Sequence, residues 1–179
     1  KNLGKEIALA AVGGYGRGEL SPGSDLDILF LHSGKVSAEE LKAFVDNVLY
    51  PLWDKKSVDH SVRTRSENRD ATSSDLRVAT GLLDIRLIAG NSDLVAGVQL
   101  DALDFWRKNA KENLAGLHKS LQERHVRAGE LAYLLEPDLK EARGGLRDIQ
   151  ALRAISLSAA IAVPLEKISW AEGTLNNVR

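Results

Sequence analysis

The sequence predicts an α/β (α+β) protein, with a small mixed sheet covered by helices and then a mostly helical domain. Two observations carry this prediction. Short apolar or alternating segments, each typical of a strand, recur in the first 65 residues. From about residue 73 the segments become longer and their apolar residues follow a helical spacing. We therefore predict a first, α/β domain over residues 1–70 and a helical domain over residues 71–179.

The first domain is expected to follow the order β-β-α-β. Residues 6–12 form an apolar run that ends in glycines, and residues 26–31 form a second apolar run, so each predicts a buried strand. A helix is expected from Ser37, because an N-cap serine is followed by two acidic residues, and Pro51 should end or kink it. Residues 57–65 alternate between apolar and polar side chains, which predicts a third strand.

The second half is expected to be helical throughout. Ser74 and Asp75 should cap a helix that runs to Gly90, and residues 91–93 should open another that continues to about Gly129. A loop-like stretch over residues 136–145 precedes a final predicted helix over residues 146–162. The charged stretch between residues 107 and 127 is expected to be a solvated helix face. The three tryptophans are expected to serve packing, namely Trp53, Trp106 and Trp170.

Composition narrows the class of function. With 44% hydrophobic and 27% charged residues, the chain is an ordinary globular sequence. Its net charge of -1 argues against a nucleic-acid partner, and it has no apolar run of the roughly 18 residues that span a bilayer, so no membrane partner is expected. The absence of cysteine excludes disulfides and thiol catalysis and fits the cytoplasm. We expect the chain to be part of a longer protein.

A glycine-rich turn after the first strand is the most informative segment. Residues 13–18 read GGYGRG, and such a turn lets the backbone approach a phosphate group closely. It is not a Walker loop, because Gly-Lys-Ser/Thr is missing at its end. Nor is it a Rossmann fingerprint, because the last position counted from Gly14 and Gly16 is Glu19. The remaining candidate is the loop of a DNA polymerase beta-type nucleotidyltransferase.

Two aspartates follow at the spacing which that loop requires. Asp25 and Asp27 stand two residues apart at the start of the second strand, so their side chains point to the same face, with Cα atoms roughly 6.5 Å apart. Two carboxylates so placed can hold a pair of Mg²⁺ ions about 4 Å apart. Asp59 on the third strand is the expected third metal ligand and the group that takes the proton from the attacking hydroxyl.

The predicted phosphate contacts come from the turn and from the residue before the first aspartate: Gly13, Gly14, Arg17, Gly18 and Ser24. For Arg17, an ion pair with Glu19 is an equally good alternative. Arg63 and Arg86 are weaker candidates, and Arg86 as a helical residue would commonly pair with a neighbour.

Five segments together resemble the PII uridylyltransferase (GlnD) family, over about residues 6–153. They are GGYGRGEL (13–20), SDLD (24–27), HSVRT (60–64), EPDLK (136–140) and GGLRDI (144–149). The resemblance implies a bacterial enzyme of nitrogen regulation that transfers UMP from UTP to a tyrosine of the trimeric PII protein. It leaves the base open, since some actinobacterial relatives adenylylate PII from ATP. The HD and ACT domains of the family are not visible in this sequence.

Three further possibilities stay open. Lys140, Arg147 and Asp148 belong to the family-specific segments and could face the nucleotide, although Asp148 is equally a first-turn acid favoured by the helix dipole. A nucleotide-sensing module of the same fold would bind an NTP without transfer. A nucleotidyltransferase acting on a small molecule or on glutamine synthetase is disfavoured by the GGLRDIQ segment at residues 144–150.

Overall fold

The computed structural model describes residues 3–21, 23–53, 57–133, 135–136 and 138–178. Within them, four strands form one sheet: β1 (Ile7–Ala11), β2 (Leu26–His32), β3 (Val58–Arg63) and β4 (Arg86–Gly90). The helices of the first half are α1 (Gly13–Arg17), α2 (Ala38–Trp53), α3 (Arg65–Ser74) and α4 (Leu76–Leu82). Those of the second half are α5 (Ser92–Lys108), α6 (Ala110–Ala128), α7 (Leu146–Leu157) and α8 (Ser169–Val178). The predicted fold class is confirmed.

The sheet is mixed, with the strand order β3-β2-β1-β4. β1 pairs antiparallel with both β2 and β4, while β2 and β3 run parallel. A parallel pair requires a crossover connection, and α2 provides it between β2 and β3. The predicted order β-β-α-β is therefore confirmed for the first three strands and the long helix.

The two faces of the sheet bury different clusters. On one face, Ile28 and Phe30 of β2 pack with Val45 and Leu49 of α2. On the other, Leu29 and Leu31 pack with apolar residues of β1, α4, α5 and the turn before β4. Since side chains alternate along a strand, Asp27 lies on the same face as Leu29 and Leu31, one step beyond the buried row.

The prediction of a helix from Ser74 to Gly90 is wrong in its second half. Asp75 does cap a helix, since its carboxylate accepts the backbone N–H of Arg77 at 2.7 Å, but α4 ends at Leu82. Residues 86–90 instead form β4, which pairs with the outer edge of β1. A short segment such as RLIAG, with three apolar residues in its middle, fits either structure, and the unpaired edge of β1 decided between them.

Three other predicted boundaries also moved. α2 continues through Pro51 to Trp53, because the proline stands in the last turn of the helix and removes only one backbone hydrogen bond. The single helix expected up to Gly129 is divided at Asn109, whose backbone leaves the helical region at φ -107 and ψ 28. α7 ends at Leu157 and not at residue 162, and Ala159 just beyond it has a positive φ of 58°.

The chain divides into two compact units, Lys1–Ala102 and Leu103–Arg179, and the division falls within α5. The first unit thus extends past the predicted boundary at residue 70 and includes β4. In the second unit Trp106 is fully buried, and its indole N–H donates to the carbonyl of Ala154 at 2.8 Å, so its packing role is confirmed. Trp53 and Trp170 are exposed.

None of the helices in the described part of the chain is long and apolar enough to cross a bilayer.

Candidate active site

The site is built where β1 leads into α1. Gly13, the first residue of α1, has a φ of +53°, a left-handed conformation that side chains other than glycine rarely adopt. A Cβ on Gly13 would lie 3.4 Å from Oδ2 of Asp27. The N–H of Val12, one residue earlier, donates to the carbonyl of Asp27 at 3.1 Å. The glycine turn and the second predicted aspartate are therefore immediate neighbours.

Asp27 and Asp59 stand opposite each other in the parallel pair of β2 and β3. Register partners in neighbouring strands direct their side chains to the same face. Asp27 is half-buried and Asp59 is exposed, so the pair lies at the end of the sheet where the core opens to solvent. The structure thus brings together two carboxylates that are 32 positions apart in the sequence.

Asp25 lies in the extended segment just before β2 and is exposed. Among the residues that the structure describes, no group of three or more His, Asp or Glu side chains is placed to hold a metal ion. Asp25 therefore does not complete a three-carboxylate group with Asp27 and Asp59.

Ser24 orders the turn that delivers these aspartates. Its hydroxyl accepts the N–H of Ser21 at 3.0 Å, and its own N–H donates to the carbonyl of Ser21 at 2.9 Å. These reciprocal bonds close a compact turn immediately before Asp25. The hydroxyl proton of Ser24 is not used by either bond and can still be donated.

Two of the predicted phosphate contacts are engaged inside the turn itself. Nε of Arg17 donates to Oε2 of Glu19 at 2.7 Å, and its Nη1 forms an ion pair with Asp84. Burial opposes the charge on Arg17, but Asp84 and Glu19 outweigh that effect and raise the pKa of Arg17. Gly18 caps α1 in the left-handed region, and its N–H is bonded to the carbonyls of Gly14 and Tyr15.

Sequence reasoning missed one contributor to this turn, Asp84, and named the other, Arg86, only as a weaker candidate for contact with the phosphates. Asp84, which follows α4, receives Arg17, and Arg86 at the start of β4 donates to the carbonyls of Tyr15 and Gly16. Arg86 was expected on a helix, where these contacts would have no meaning. No local pattern points to either residue, because each is about 70 positions away from its partners.

The last two segments of the resemblance, residues 136–140 and 144–149, lie in the second unit, with Pro137 outside the described residues. There Asp148 accepts the N–H of Gly144 at 2.7 Å and Nε2 of His125 at 2.8 Å, and it forms an ion pair with Arg124. Arg124 is buried, which corrects the expectation that the whole stretch from residue 107 to residue 127 is a solvated face. Arg147 pairs with Glu141 at 3.2 Å on the surface. The contacts of Asp148 are thus those of a first-turn acid that fixes its own loop.

Comparison with known proteins identifies the family of this chain. The model of the nucleotidyltransferase domain family matches residues 1–128, more than half of the chain. The chain belongs to this family. A second model, described as GlnD PII-uridylyltransferase, matches residues 112–172 of the chain.

Its curated relatives carry the name bifunctional uridylyltransferase/uridylyl-removing enzyme. The relative from Streptomyces coelicolor is 49% identical over 97% of this chain, which covers 21% of that protein. The one from Mycobacterium tuberculosis (strain H37Rv) is 44% identical over 87% of the chain and 19% of that protein. The one from Corynebacterium glutamicum is 36% identical over 88% and 22%. The predicted resemblance to the GlnD family is confirmed, and the chain spans about a fifth of the length of these relatives.

Among solved structures, a protein described as a toxin-antitoxin with AMP-PNP is similar to this chain. The match has a TM-score of 0.41 and 14% identity and covers 65% of this chain and 87% of the other. This likeness is too weak to support any inference.

Proposed function

We propose that the protein carrying this chain transfers UMP from UTP to a tyrosine hydroxyl of the PII nitrogen signalling protein. The tyrosine oxygen forms a bond to the α-phosphorus, the bond from that phosphorus to the bridging oxygen breaks, and pyrophosphate leaves. The observation that carries the proposal is the pairing of Asp27 with Asp59 directly beside Gly13. The names of the matched family and of the relatives support the uridylyl group and the PII acceptor.

The donor set of the site fits magnesium. Asp25, Asp27 and Asp59 offer only carboxylate oxygens, which are the ligands that Mg²⁺ prefers. Gly13 leaves space beside the Asp27 carboxylate that a larger residue would fill. Asp27 and Asp59 are already paired and would hold two Mg²⁺ ions together with Asp25, which would have to turn towards them. The ions would neutralise charge on the triphosphate and sharpen the attacking hydroxyl.

The protein groups then have distinct tasks. The Gly13–Gly14 turn and the Ser24 hydroxyl position the phosphates through N–H and O–H donors. Arg17 and Gly18 act indirectly, because they hold the turn in the conformation that binds the phosphates. Asp59 is exposed and accepts the proton of the tyrosine hydroxyl. All catalytic groups of the proposal fall within residues 1–70, and we assign the reaction to the cytoplasm.

The test is transfer from α-labelled UTP and α-labelled ATP, offered separately to the full-length protein with a PII-type acceptor and Mg²⁺. We expect label on PII from UTP and a loss of roughly 10²-fold or more in Asp27→Asn, because a preorganised charged group at the reacting phosphate is removed. Asp70→Asn, an exposed aspartate of α3, is the matched control and should keep full activity. Circular dichroism checks that both variants are folded.

Each other outcome has a defined meaning. Label from ATP alone would make the protein a PII adenylyltransferase with the same site. Binding of Mg-NTP without label on PII would favour a sensing module or a different acceptor. Full activity of folded Asp27→Asn would overturn the assignment of the site.

A further inference from the structure

The C-terminal end of α1 is fastened to the segment between α4 and β4 by three side chains. We call Arg17, Asp84 and Arg86 the α1 clamp. Ile85, between the last two, is buried in the core with Leu29 and Leu31. The clamp is therefore anchored on one side in the core of the sheet.

Arg86 reaches α1 from the neighbouring strand. It stands opposite Ala11 in the pairing of β4 with β1, two residues before α1 begins. Its Nη2 donates to the carbonyl of Tyr15 at 2.8 Å, and its Nε donates to that of Gly16 at 3.0 Å. Carbonyls in the last turn of a helix lack intrahelical donors, and a cation there is favoured by the helix dipole.

Arg17 makes the reciprocal connection from α1 to Asp84. The backbones meet at the same place, since a Cβ on Gly16 would lie 2.0 Å from the carbonyl oxygen of Asp84. No side chain larger than hydrogen fits there without a shift of backbone. The two backbones are thus in tight contact, and the contact is held by Arg17 from α1 and by Arg86 from β4.

The other end of α1 carries the phosphate turn. α1 has five residues, so its two ends are separated by roughly 6 Å at the rise of an α-helix. Over that distance a displacement at Gly16 also moves Gly13, where an added Cβ would lie 3.4 Å from the Asp27 carboxylate.

We propose that Asp84 and Arg86 are positioning residues that hold α1 in the orientation required to bind the phosphates of the nucleotide. This inference rests on the proposed function and deepens it. Neither residue acts on the reacting atoms, and their effect reaches the nucleotide through α1. Loss of either therefore weakens nucleotide binding more than it slows the chemical step.

The charge of Asp84 distinguishes positioning from direct binding. If these side chains acted only through their charge on the triphosphate, Arg86→Ala would weaken binding and Asp84→Ala would strengthen it. Positioning through α1 predicts that both substitutions weaken binding. It also predicts that the double variant Asp84→Ala/Arg86→Ala loses less than the product of the two single effects, because both act on one contact.

The experiment measures the Kd of Mg-UTP by titration calorimetry in the full-length protein without PII, and KM and kcat with PII. We expect the Kd and the KM to rise about tenfold in each single variant, the loss of one or two hydrogen bonds to a charged group, with kcat within about twofold. Arg86→Lys keeps a donor and should recover part of the affinity. Arg77→Ala is the matched control, since the side chain of Arg77 is 93% exposed on α4.

Three outcomes would overturn the inference. They are an unchanged Kd in folded Asp84→Ala and Arg86→Ala, a lower Kd in Asp84→Ala, and a fall in melting temperature with no change in Kd at a temperature where the variants are folded. Failure of the proposed function is seen separately, as wild-type protein that binds Mg-UTP but does not label PII. In that case the Kd series still tests the α1 clamp. Wild-type protein that binds neither Mg-UTP nor Mg-ATP would overturn both the proposed function and the role of the clamp.

Discussion

Two buried arginines, one in each compact unit, make nearly the same kind of contact. The side chains of Arg17 and Arg124 are each 9% exposed, and each pairs with an aspartate that is 24% exposed. Both pairs also secure a glycine-rich segment, α1 in the first unit and the loop before α7 in the second. By charge and burial alone the two regions are equivalent.

They differ in what the secured segment touches. α1 begins at Gly13, next to the Asp27 carboxylate and one strand away from Asp59. In the second unit the pair secures the loop through the N–H of Gly144 and the carbonyl of Glu141, both within the same segment. A buried ion pair is thus weak evidence for a site, and the groups that it positions decide whether function depends on it.

The largest effect is expected from adding a methyl group at the tight contact between Gly16 and Asp84 in the first region. In Gly16→Ala the added methyl group would meet the Asp84 carbonyl at 2.0 Å, so the backbone must move. We expect a loss of about 3 kcal/mol in unfolding free energy, typical of overpacking, together with weaker binding of Mg-UTP. Urea unfolding and titration calorimetry measure the two effects. Gly81→Ala, where the methyl group meets nothing within 4 Å, should keep or raise stability, and equal behaviour of the two variants would contradict the geometry.

A somewhat smaller effect is expected from the second region. Arg124→Met keeps an apolar stem but leaves the Glu141 carbonyl without its side-chain donor and removes one of the three donors of Asp148. We expect a loss of about 2 kcal/mol, the penalty of an unsatisfied buried polar group, with faster amide exchange in residues 138–148. Hydrogen exchange followed by mass spectrometry locates the change. The exposed Arg127 on the same helix is the control, and protection of that loop equal in Arg124→Met and Arg127→Ala would show that Arg124 does not hold it.

The smallest effect is expected in the pH dependence of stability, through the carboxylate of Asp148 in the second region. Burial favours the neutral form of Asp148, but the Gly144 N–H, His125 and Arg124 outweigh it and lower the pKa of Asp148. A carboxyl whose pKa is lower in the folded state adds stability above its unfolded pKa, and this stability is lost as the pH falls through the folded pKa. Urea midpoints from about pH 6 to about pH 3 should fall less steeply in Asp148→Asn than in the wild type. Parallel curves would show that the Asp148 carboxylate contributes nothing to stability.

Local rules were sufficient for much of the first unit. β1, β2 and β3, the start of α2 after Ser37 and the cap at Asp75 lie where apolar period and capping residues predicted them. The alternation in β3 predicted the strand but not its burial: His60 packs edge-on against Phe30 with ring centroids 6.2 Å apart, yet Val62 is exposed and Ser61 is half-buried. The family followed from short motifs, because a phosphate turn and a pair of carboxylates leave a specific signature.

Local rules failed where a distant partner made the choice. Residues 86–90 form a strand because the edge of β1 was available for pairing. The predicted long helix is divided at Asn109, although charged residues continue on both sides of that position. The partners of Arg17 and Arg124 were ambiguous or invisible for the same reason, since an arginine in a glycine turn or on a charged helix looks solvated until another segment covers it.

The sequence by itself determined the family, the predicted phosphate turn and the two aspartates around Leu26, because these depend on residue type and on spacings of one or two positions. Only the tertiary structure decided that Asp59 stands opposite Asp27, that β4 joins the sheet, and that Asp84 and Arg86 hold α1. Such contacts depend on strand register and on chain segments up to 71 positions apart. Their free energy is gained only when the whole domain folds, so no local window of residues contains it.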